Sequence, residues 1–316
     1  MKKLISLLLI LTLSAGLFCT LSFGAAAAKK PTREEIQTLI ASAEEYAKKG
    51  QTAEGEQRWS DAGDAYAQAA TLYGKAQDSA NRKSAAEKAA AMYGKAVSAY
   101  EKSQPPVTDP AAMCAAAAVY RSLGSVYQRD LKDTEKAKAN YTAAAKLYEA
   151  AADAYQAAAE KSTKAAEKTN LLTGAASTYG LAGHIYAEEA KDAASAAKAF
   201  LKAAAVYALL EDGKNETAAK QTAADAYMKA GEYYAGHKVR QYDTAKEMYR
   251  SAAKLYEELG VDAKAEEAAA LAENPAGGDL ASVLSYGEPW IVISVAIIAV
   301  AVIAVLTVKK KKSTNE

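Results

Sequence analysis

Residues 179–186 read YGLAGHIY: a ring, two spacers, the small pair Ala182-Gly183, two spacers, and a second ring at Tyr186. Seven residues are nearly two helical turns, so the rings and the small pair share one face of a helix. Small residues let neighbouring helix axes approach closely, and the flanking rings fill the space above and below that contact. The stretch therefore predicts helices that stack through such faces.

Ring pairs with this spacing recur from about residue 32 to residue 273, most of them around two small residues. They are Trp59/Tyr66, Tyr93/Tyr100, Tyr120/Tyr127, Tyr141/Tyr148, Tyr179/Tyr186, Phe200/Tyr207, Tyr227/Tyr234 and Tyr249/Tyr256. First rings of successive helices lie 21 or 22 residues apart (120 to 141, 179 to 200, 227 to 249). The spacing predicts helix-turn-helix units.

Composition agrees with an extended helical array. The 316 residues are rich in alanine and contain 20 tyrosines, three phenylalanines and six prolines. Abundant alanine suits closely packed helices and disfavours a sheet. We therefore predict an all-α fold.

The units resemble the tetratricopeptide repeat (TPR), whose first helix carries an aromatic residue, Leu-Gly and Tyr, and whose second carries Ala, an aromatic residue and Ala. The first-helix packing motif comprises Trp59, Ala62, Gly63, Tyr66, Tyr120, Leu123, Gly124, Tyr127, Tyr179, Gly183, Tyr186, Tyr227, Gly231 and Tyr234. Each unit is one or two residues longer than the usual repeat and lacks its terminal proline. The resemblance implies a right-handed superhelical array of antiparallel helix pairs, an α-solenoid.

Residues 59–66 (WSDAGDAY) and 131–137 (LKDTEKA) resemble soluble NSF-attachment proteins (SNAPs), a likeness that covers about residues 35–260. In that family the helices form a twisted sheet that grips a SNARE bundle and recruits an ATPase. The Leu-bearing C-terminal tail that stimulates the ATPase is missing here. The predicted export signal also disagrees with a cytosolic role, so the resemblance is carried over for fold and not for function.

The phase of the array is ambiguous near its N-terminus. Leu39 and Tyr46 predict a first unit together with the Trp59/Tyr66 helix, which would leave the Tyr93/Tyr100 helix as an extra element. Prolines at 105, 106 and 110 then interrupt the helical pattern. We expect a bend or loop there within one array, and a closing helix over residues 261–272.

The N-terminus has the pattern of a secretory signal peptide, predicted over residues 1–28. Lys2 and Lys3 precede an uncharged apolar stretch, and small residues follow at 24–28. The alternative is an uncleaved signal anchor, because the apolar stretch is long enough to span a bilayer. Both interpretations export the domain predicted over residues 29–274.

A second apolar segment near the C-terminus predicts a transmembrane helix over residues 289–308. Trp290 stands at its outer edge, and Lys309 to Lys312 follow it in a basic tail predicted over residues 309–316. Such a cluster is typical of the cytoplasmic side. A juxtamembrane linker over residues 275–288 would connect an extracytoplasmic repeat domain to this single-pass anchor in the cytoplasmic membrane.

The net charge of +1 depends on the two ends of the chain. When Lys2, Lys3, Lys309 to Lys312 and Glu316 are left out, the chain contains 33 basic and 37 acidic residues. A nucleic-acid-binding face is normally basic, so we predict no nucleic-acid partner.

No pattern of catalytic, cofactor-binding or metal-ligating residues stands out, and we predict that the chain is not an enzyme. His184 and His237 lack a metal-site spacing, and Cys114 lies in an Ala-rich run typical of a buried small residue. Carboxylates alternate with lysines, as on a solvated helix face.

The excess of tyrosine over phenylalanine has two interpretations. Tyrosine suits a partly wet concave binding face, but narrow Ala-rich layers would also place ring edges near water and require a hydroxyl. Tyr233 departs from the packing period and Tyr242 is expected in a turn, so these two are the candidate surface contacts. Asn215 is the candidate N-glycosylation site, within Asn215-Glu216-Thr217.

The leading hypothesis is a scaffold that binds a protein or peptide on the concave face of the array at the cell surface. One alternative is a structural, self-associating spacer of the cell envelope, which would make the chain a homo-oligomer. Another is SNAP-like handling of helical membrane-fusion or trafficking complexes.

Overall fold

The computed structural model describes residues 31–103, 107–236 and 238–275, which form ten α-helices and no strand. The helices are α1 Arg33–Gly55, α2 Trp59–Lys75, α3 Ser79–Glu101, α4 Pro110–Val126, α5 Thr134–Lys161, α6 Ala165–His184, α7 Ala193–Leu209, α8 Gly213–Ala235, α9 Tyr242–Glu258 and α10 Asp262–Glu273. Two π-helical turns, Tyr127–Leu131 and Ile185–Glu189, extend α4 and α6. The predicted all-α class is confirmed for this part of the chain.

The predicted signal peptide, transmembrane helix and basic tail lie outside the described residues. Within the described ranges, no helix combines the length and the apolar character that a bilayer crossing needs.

Aspartates start half of the helices. The side chain of each such aspartate accepts a hydrogen bond from the backbone N–H three residues later, which satisfies a donor that the first helical turn leaves free. The residues are Asp78, Asp109, Asp133, Asp192 and Asp212. At α1, Thr32 and Glu35 form a reciprocal capping box.

One turn conformation recurs between the helices. A residue with positive φ stands directly before the residue that caps the next helix, and the N–H of that capping residue donates to a carbonyl near the end of the previous helix. The positive-φ residues are Gln57, Gln77, Lys132, Lys191, Glu211, Arg240 and Gly260. Such tight turns make successive helices antiparallel neighbours.

The hydrogen bonds that close these turns also show where the long repeats have extra residues. The donor follows the acceptor by five residues in the turn after α1, by six after each π-helical turn, and by seven between α8 and α9. These bonds run from Arg58 to Ala53, Asp133 to Tyr127, Asp192 to Tyr186 and Gln241 to Tyr234. The added residue is therefore absorbed by a π-helical turn in two units, and the third unit has a longer connection.

Glycines in the array pack against aromatic rings of the following helix. The pairs are Gly50 with Tyr66, Gly63 with Tyr93, Gly124 with Tyr141, Gly183 with Phe200 and Gly231 with Tyr249. A Cβ added at Gly183 would lie 2.7 Å from Cε1 of Phe200, closer than carbon atoms pack. The ring thus occupies the volume that any larger side chain at 183 would need.

The helix α2 packs on both of its neighbours through a glycine and ring contact. Gly50 of α1 lies against Tyr66 of α2, and Gly63 of α2 lies against Tyr93 of α3. Because the two contacts are of the same kind, they do not distinguish the predicted unit of α1 and α2 from a unit of α2 and α3.

Alternate helices lie side by side, since charged side chains connect each helix to the next but one. Lys95 of α3 lies 3.4 Å from Glu54 of α1, and Lys264 of α10 lies 2.9 Å from Asp225 of α8. Similar pairs join α7 to α5 and α4 to the second π-helical turn. The described helices therefore form a two-layered, TPR-like repeat array, and its core lies between the layers.

We expect opposite effects from alanine at two glycines of α6. Gly183→Ala should lower the free energy of unfolding by about 1–3 kcal/mol, because the Phe200 ring must move. A Cβ at Gly180 meets nothing within 4 Å, so Gly180→Ala should raise stability by up to about 1 kcal/mol through helix propensity. Urea unfolding followed by circular dichroism measures both, and equal effects would contradict the packing described here.

Candidate interaction surface

The structure places the packing motif between the helices. Ten of its members are buried: Ala62, Gly63, Tyr66, Leu123, Gly124, Tyr179, Gly183, Tyr186, Tyr227 and Gly231. The other four, Trp59, Tyr120, Tyr127 and Tyr234, are half-buried. These side chains hold the array together, and most of them offer a partner little surface.

Hydroxyl groups of the tyrosines connect neighbouring helices. Seven of them donate a hydrogen bond to a carboxylate or amide oxygen of the preceding helical segment. The bonds run from Tyr66 to Glu54, Tyr93 to Asp64, Tyr120 to Glu101, Tyr141 to Gln128, Tyr179 to Asp153, Tyr186 to Glu149 and Tyr256 to Asp225. Phenylalanine would bury the same ring and leave these acceptors without this donor, so the bonds favour the packing interpretation of the tyrosine excess.

Burial and these carboxylates together keep the tyrosines protonated. Burial raises the pKa of Tyr148 and of Tyr249 to about 12. The pKa values of Tyr179 and Tyr256 are raised as well, first by burial and then by the hydrogen bonds to Asp153 and Asp225. A phenolate in these positions would be poorly solvated and would lie against a like charge.

Lysines complete several of these contacts from a third helix. Lys202 of α7 lies 5.2 Å from the ring centre of Tyr179, and its ammonium is 3.8 Å from the carboxylate of Asp153. Lys264 of α10 stands in the same relation to Tyr256 and Asp225. Carboxylate, ring and ammonium thus come from three successive helices and stabilise one another.

The two tyrosines proposed as surface contacts differ in exposure. Tyr233, near the end of α8, is 62% exposed. Its ring packs edge-on against the ring of Tyr234, with the two ring centres 5.3 Å apart. Tyr242 is half-buried, and it is the first residue of α9 rather than part of a turn. The turn ends one residue earlier, because the backbone N–H of Gln241 donates to the carbonyl of Tyr234 and so closes the turn.

Asn215 lies exposed in the first turn of α8. Its amide nitrogen donates to the carboxylate of Asp212 at 2.7 Å, and its backbone N–H donates to the same group. Asn215 therefore contributes to the cap of this helix.

The exposed side of α4 and α6 contains few charges. From Thr169 to His184 no residue is acidic, lysine or arginine, and Thr173 and Ser177 face solvent there. Arg121 is the one charged residue of α4. The opposite layer differs, since Lys138 and Lys146 of α5 are exposed. We call the exposed residues Ala111, Ala115, Ala118, Asn170, Thr173 and Ser177 the uncharged face.

The histidine and cysteine side chains of the described residues have packing contacts within the array. The His184 ring packs edge-on against Phe200 at 5.0 Å, and burial raises the pKa of the half-buried Cys114 thiol. In the described ranges, no three His, Cys, Asp or Glu side chains are placed to hold a metal ion. His237 lies outside the described residues.

Two features of the surface carried no signal in the sequence. Leu209, at the end of α7, is 62% exposed although it continues an apolar run. The side chain of Asp130 is 1% exposed and pairs with Arg82 and Arg129, although this segment looks like an ordinary charged turn. Both depend on which helices become neighbours.

Alkaline pH should destabilise the array. The unfolded chain releases tyrosine protons near pH 10, and the folded chain retains them to higher pH because its tyrosine pKa values are raised. Stability is therefore full below about pH 10 and falls above it, by up to about 1.4 kcal/mol per pH unit for each retained proton. Thermal melting from about pH 9 to about pH 12, with phenolate absorbance recorded in parallel, measures this.

The variant Tyr249→Phe provides the control, since it retains the ring and removes one titrating proton. Its pH dependence should be shallower by one proton. An unchanged slope would show that Tyr249 does not contribute to the alkaline loss of stability.

Comparisons with known proteins identify no family. No family model matches the chain, and no curated protein matches it. Among solved structures, BtubC (BKLC) from P. vanneervenii is 16% identical, with 77% of this chain and 91% of that chain covered and a TM-score of 0.27. The TPR2AB domain of yeast Sti1, in a complex with pHSP90, is 19% identical, with 74% and 98% covered and a TM-score of 0.17. TM-scores this low carry no argument, so the fold assignment rests on the helix pairing itself.

Proposed function

We propose that this protein is a non-catalytic scaffold that binds a protein or peptide, presented outside the cytoplasmic membrane by a single C-terminal membrane helix. The observation that carries the binding role is the uncharged face. The helices α4 and α6 lie in one layer, since Arg121 of α4 donates from Nε and Nη2 to Glu189 in the π-helical turn that extends α6. The small side chains on this face project little from the helices, so the backbone of a partner can approach closely.

The exposed Tyr233 extends the same layer, because α8 is the first helix of the next unit. An exposed tyrosine offers a large rigid contact area with a polar tip, which is common at interfaces. A partner lying across α4, α6 and α8 would meet small residues on α4 and α6 and, on α8, Tyr233 beside the exposed Lys229 and Glu232.

The class of partner proposed here is an extended or helical segment. Small residues at a helix surface favour a second helix at short distance, as they do between the helices of the array.

Self-association through the ends of the array is disfavoured by its terminal helices. The outer side of α1 exposes Glu44, Glu45 and Lys48, and that of α10 exposes Glu266 and Glu267. Charged outer faces on terminal helices are typical of capping elements that prevent further stacking. A spacer built by end-to-end stacking would lack an apolar contact.

Site-specific photo-cross-linking in the full-length protein tests the binding role. A photoreactive residue at Thr173 or Ser177 should yield cross-links to a partner, because both side chains face solvent on the uncharged face. The matched controls are Lys146 of α5 and Lys198 of α7, which are also exposed and lie on the other layer. Equal labelling from both layers, or none from either, would contradict the proposal.

Protease accessibility in intact cells tests the location. The proposed topology predicts that added protease cleaves the repeat domain in intact cells and leaves the tail of residues 309–316 protected. An epitope placed after Glu316 should become accessible only after lysis. A repeat domain that is protected until lysis would contradict an extracytoplasmic scaffold and favour a SNAP-like cytosolic role.

A further inference from the structure

The apolar core of the array is divided at α4. Leu123 and Val126 of α4 belong to a core formed with α1, α2 and α3, whereas Ala117 belongs to a core that continues through α10. Among the residues of these two cores, Tyr127 packs against both. The helices from α5 onward share further apolar clusters, such as the one around Tyr179.

Polar bonds connect α3 to α4 at both ends of α3. Near its start, Arg82 donates from Nε to Asp130 at 3.1 Å and from Nη2 to the carbonyl of Arg129 at 2.6 Å. At its end, Glu101 accepts the Tyr120 hydroxyl at 2.6 Å. We call these two contacts the polar clamps.

The buried end of the first clamp does not depend on α3. Asp130 also pairs with Arg129, its neighbour in the π-helical turn, at 2.7 Å. If Arg82 moved away, Asp130 would keep one charged partner. The side chain of Arg82, which is already 31% exposed, would become hydrated. Loss of this clamp therefore leaves no buried charge unpaired.

We propose that the α3–α4 joint is a hinge: the block α1–α3 and the block α4–α10 change their mutual angle about Tyr127, and the polar clamps hold the closed arrangement. Packed cores resist deformation, so a change of angle is easiest where two cores meet, and these two cores meet at α4. Polar bonds suit such a joint because water replaces them when it opens.

The hinge does not rest on the proposed binding role. A rigid joint would overturn the hinge and leave the scaffold intact, whereas missing cross-links at Thr173 and Ser177 would overturn the scaffold alone. The two proposals therefore fail separately.

The test is a pair of distance measurements by spin labelling in the full chain, with Cys19 and Cys114 replaced by alanine. One label pair, at Glu44 of α1 and Thr173 of α6, spans the joint. The control pair, at Thr173 and Lys254 of α9, lies within the second block. All three positions are exposed.

The double variant Arg82→Met/Tyr120→Phe removes both polar clamps and retains the bond between Asp130 and Arg129. We expect a second distance for the pair across the joint, with its population raised on the order of 100-fold, and no change for the control pair. The matched control Tyr256→Phe removes the same kind of bond inside the second block and should leave the distances across the joint unchanged.

An unchanged distribution across the joint would overturn the hinge, and so would equal broadening of both label pairs. Should the double variant fail to fold, Tyr120→Phe alone removes a single hydroxyl. It should produce the same second distance at smaller amplitude, and its absence would also overturn the proposal.

Discussion

The close contact between a glycine and an aromatic ring of the next helix is the constraint on which this array depends. At Gly124, Gly183 and Gly231, an aromatic ring of the next helix occupies the space of the missing side chain. This contact limits the distance between paired helices and favours one register, because the ring fits where the glycine leaves room. The hydroxyl bonds and lysine contacts around the rings are possible only once that distance is set.

The inserted residues show how the repeat tolerates a change in length. Adding a residue to a regular helix would rotate every following side chain by about 100°. The π-helical turns instead absorb one residue each just before the turn, so Gly124 and Gly183 keep their rings. They also place Asp130 and Glu189 where each reaches an arginine of an earlier helix, so the insertions contribute contacts between units.

The tyrosines separate what a periodic pattern can predict from what it cannot. Their spacing predicted a packed helix face, and the hydroxyl bonds favour packing over surface recognition. Tyr233 stood out because it broke the period, and it is exposed. Tyr242 was expected in a turn, but the turn closes one residue earlier, and this boundary depends on a hydrogen bond to Tyr234 that the sequence does not display.

The sequence by itself determined the helical class, the pairing of the helices from α4 onward and the kind of contact between them, because each follows from residues close together in the chain. It did not determine which side chains meet across the layers. The burial of Asp130 with Arg82, the sharing of Tyr127 between two cores and the grouping of uncharged surface on α4 and α6 were decided by tertiary structure alone. Their partners lie tens of residues apart, and the inserted residues alter the helical phase between them.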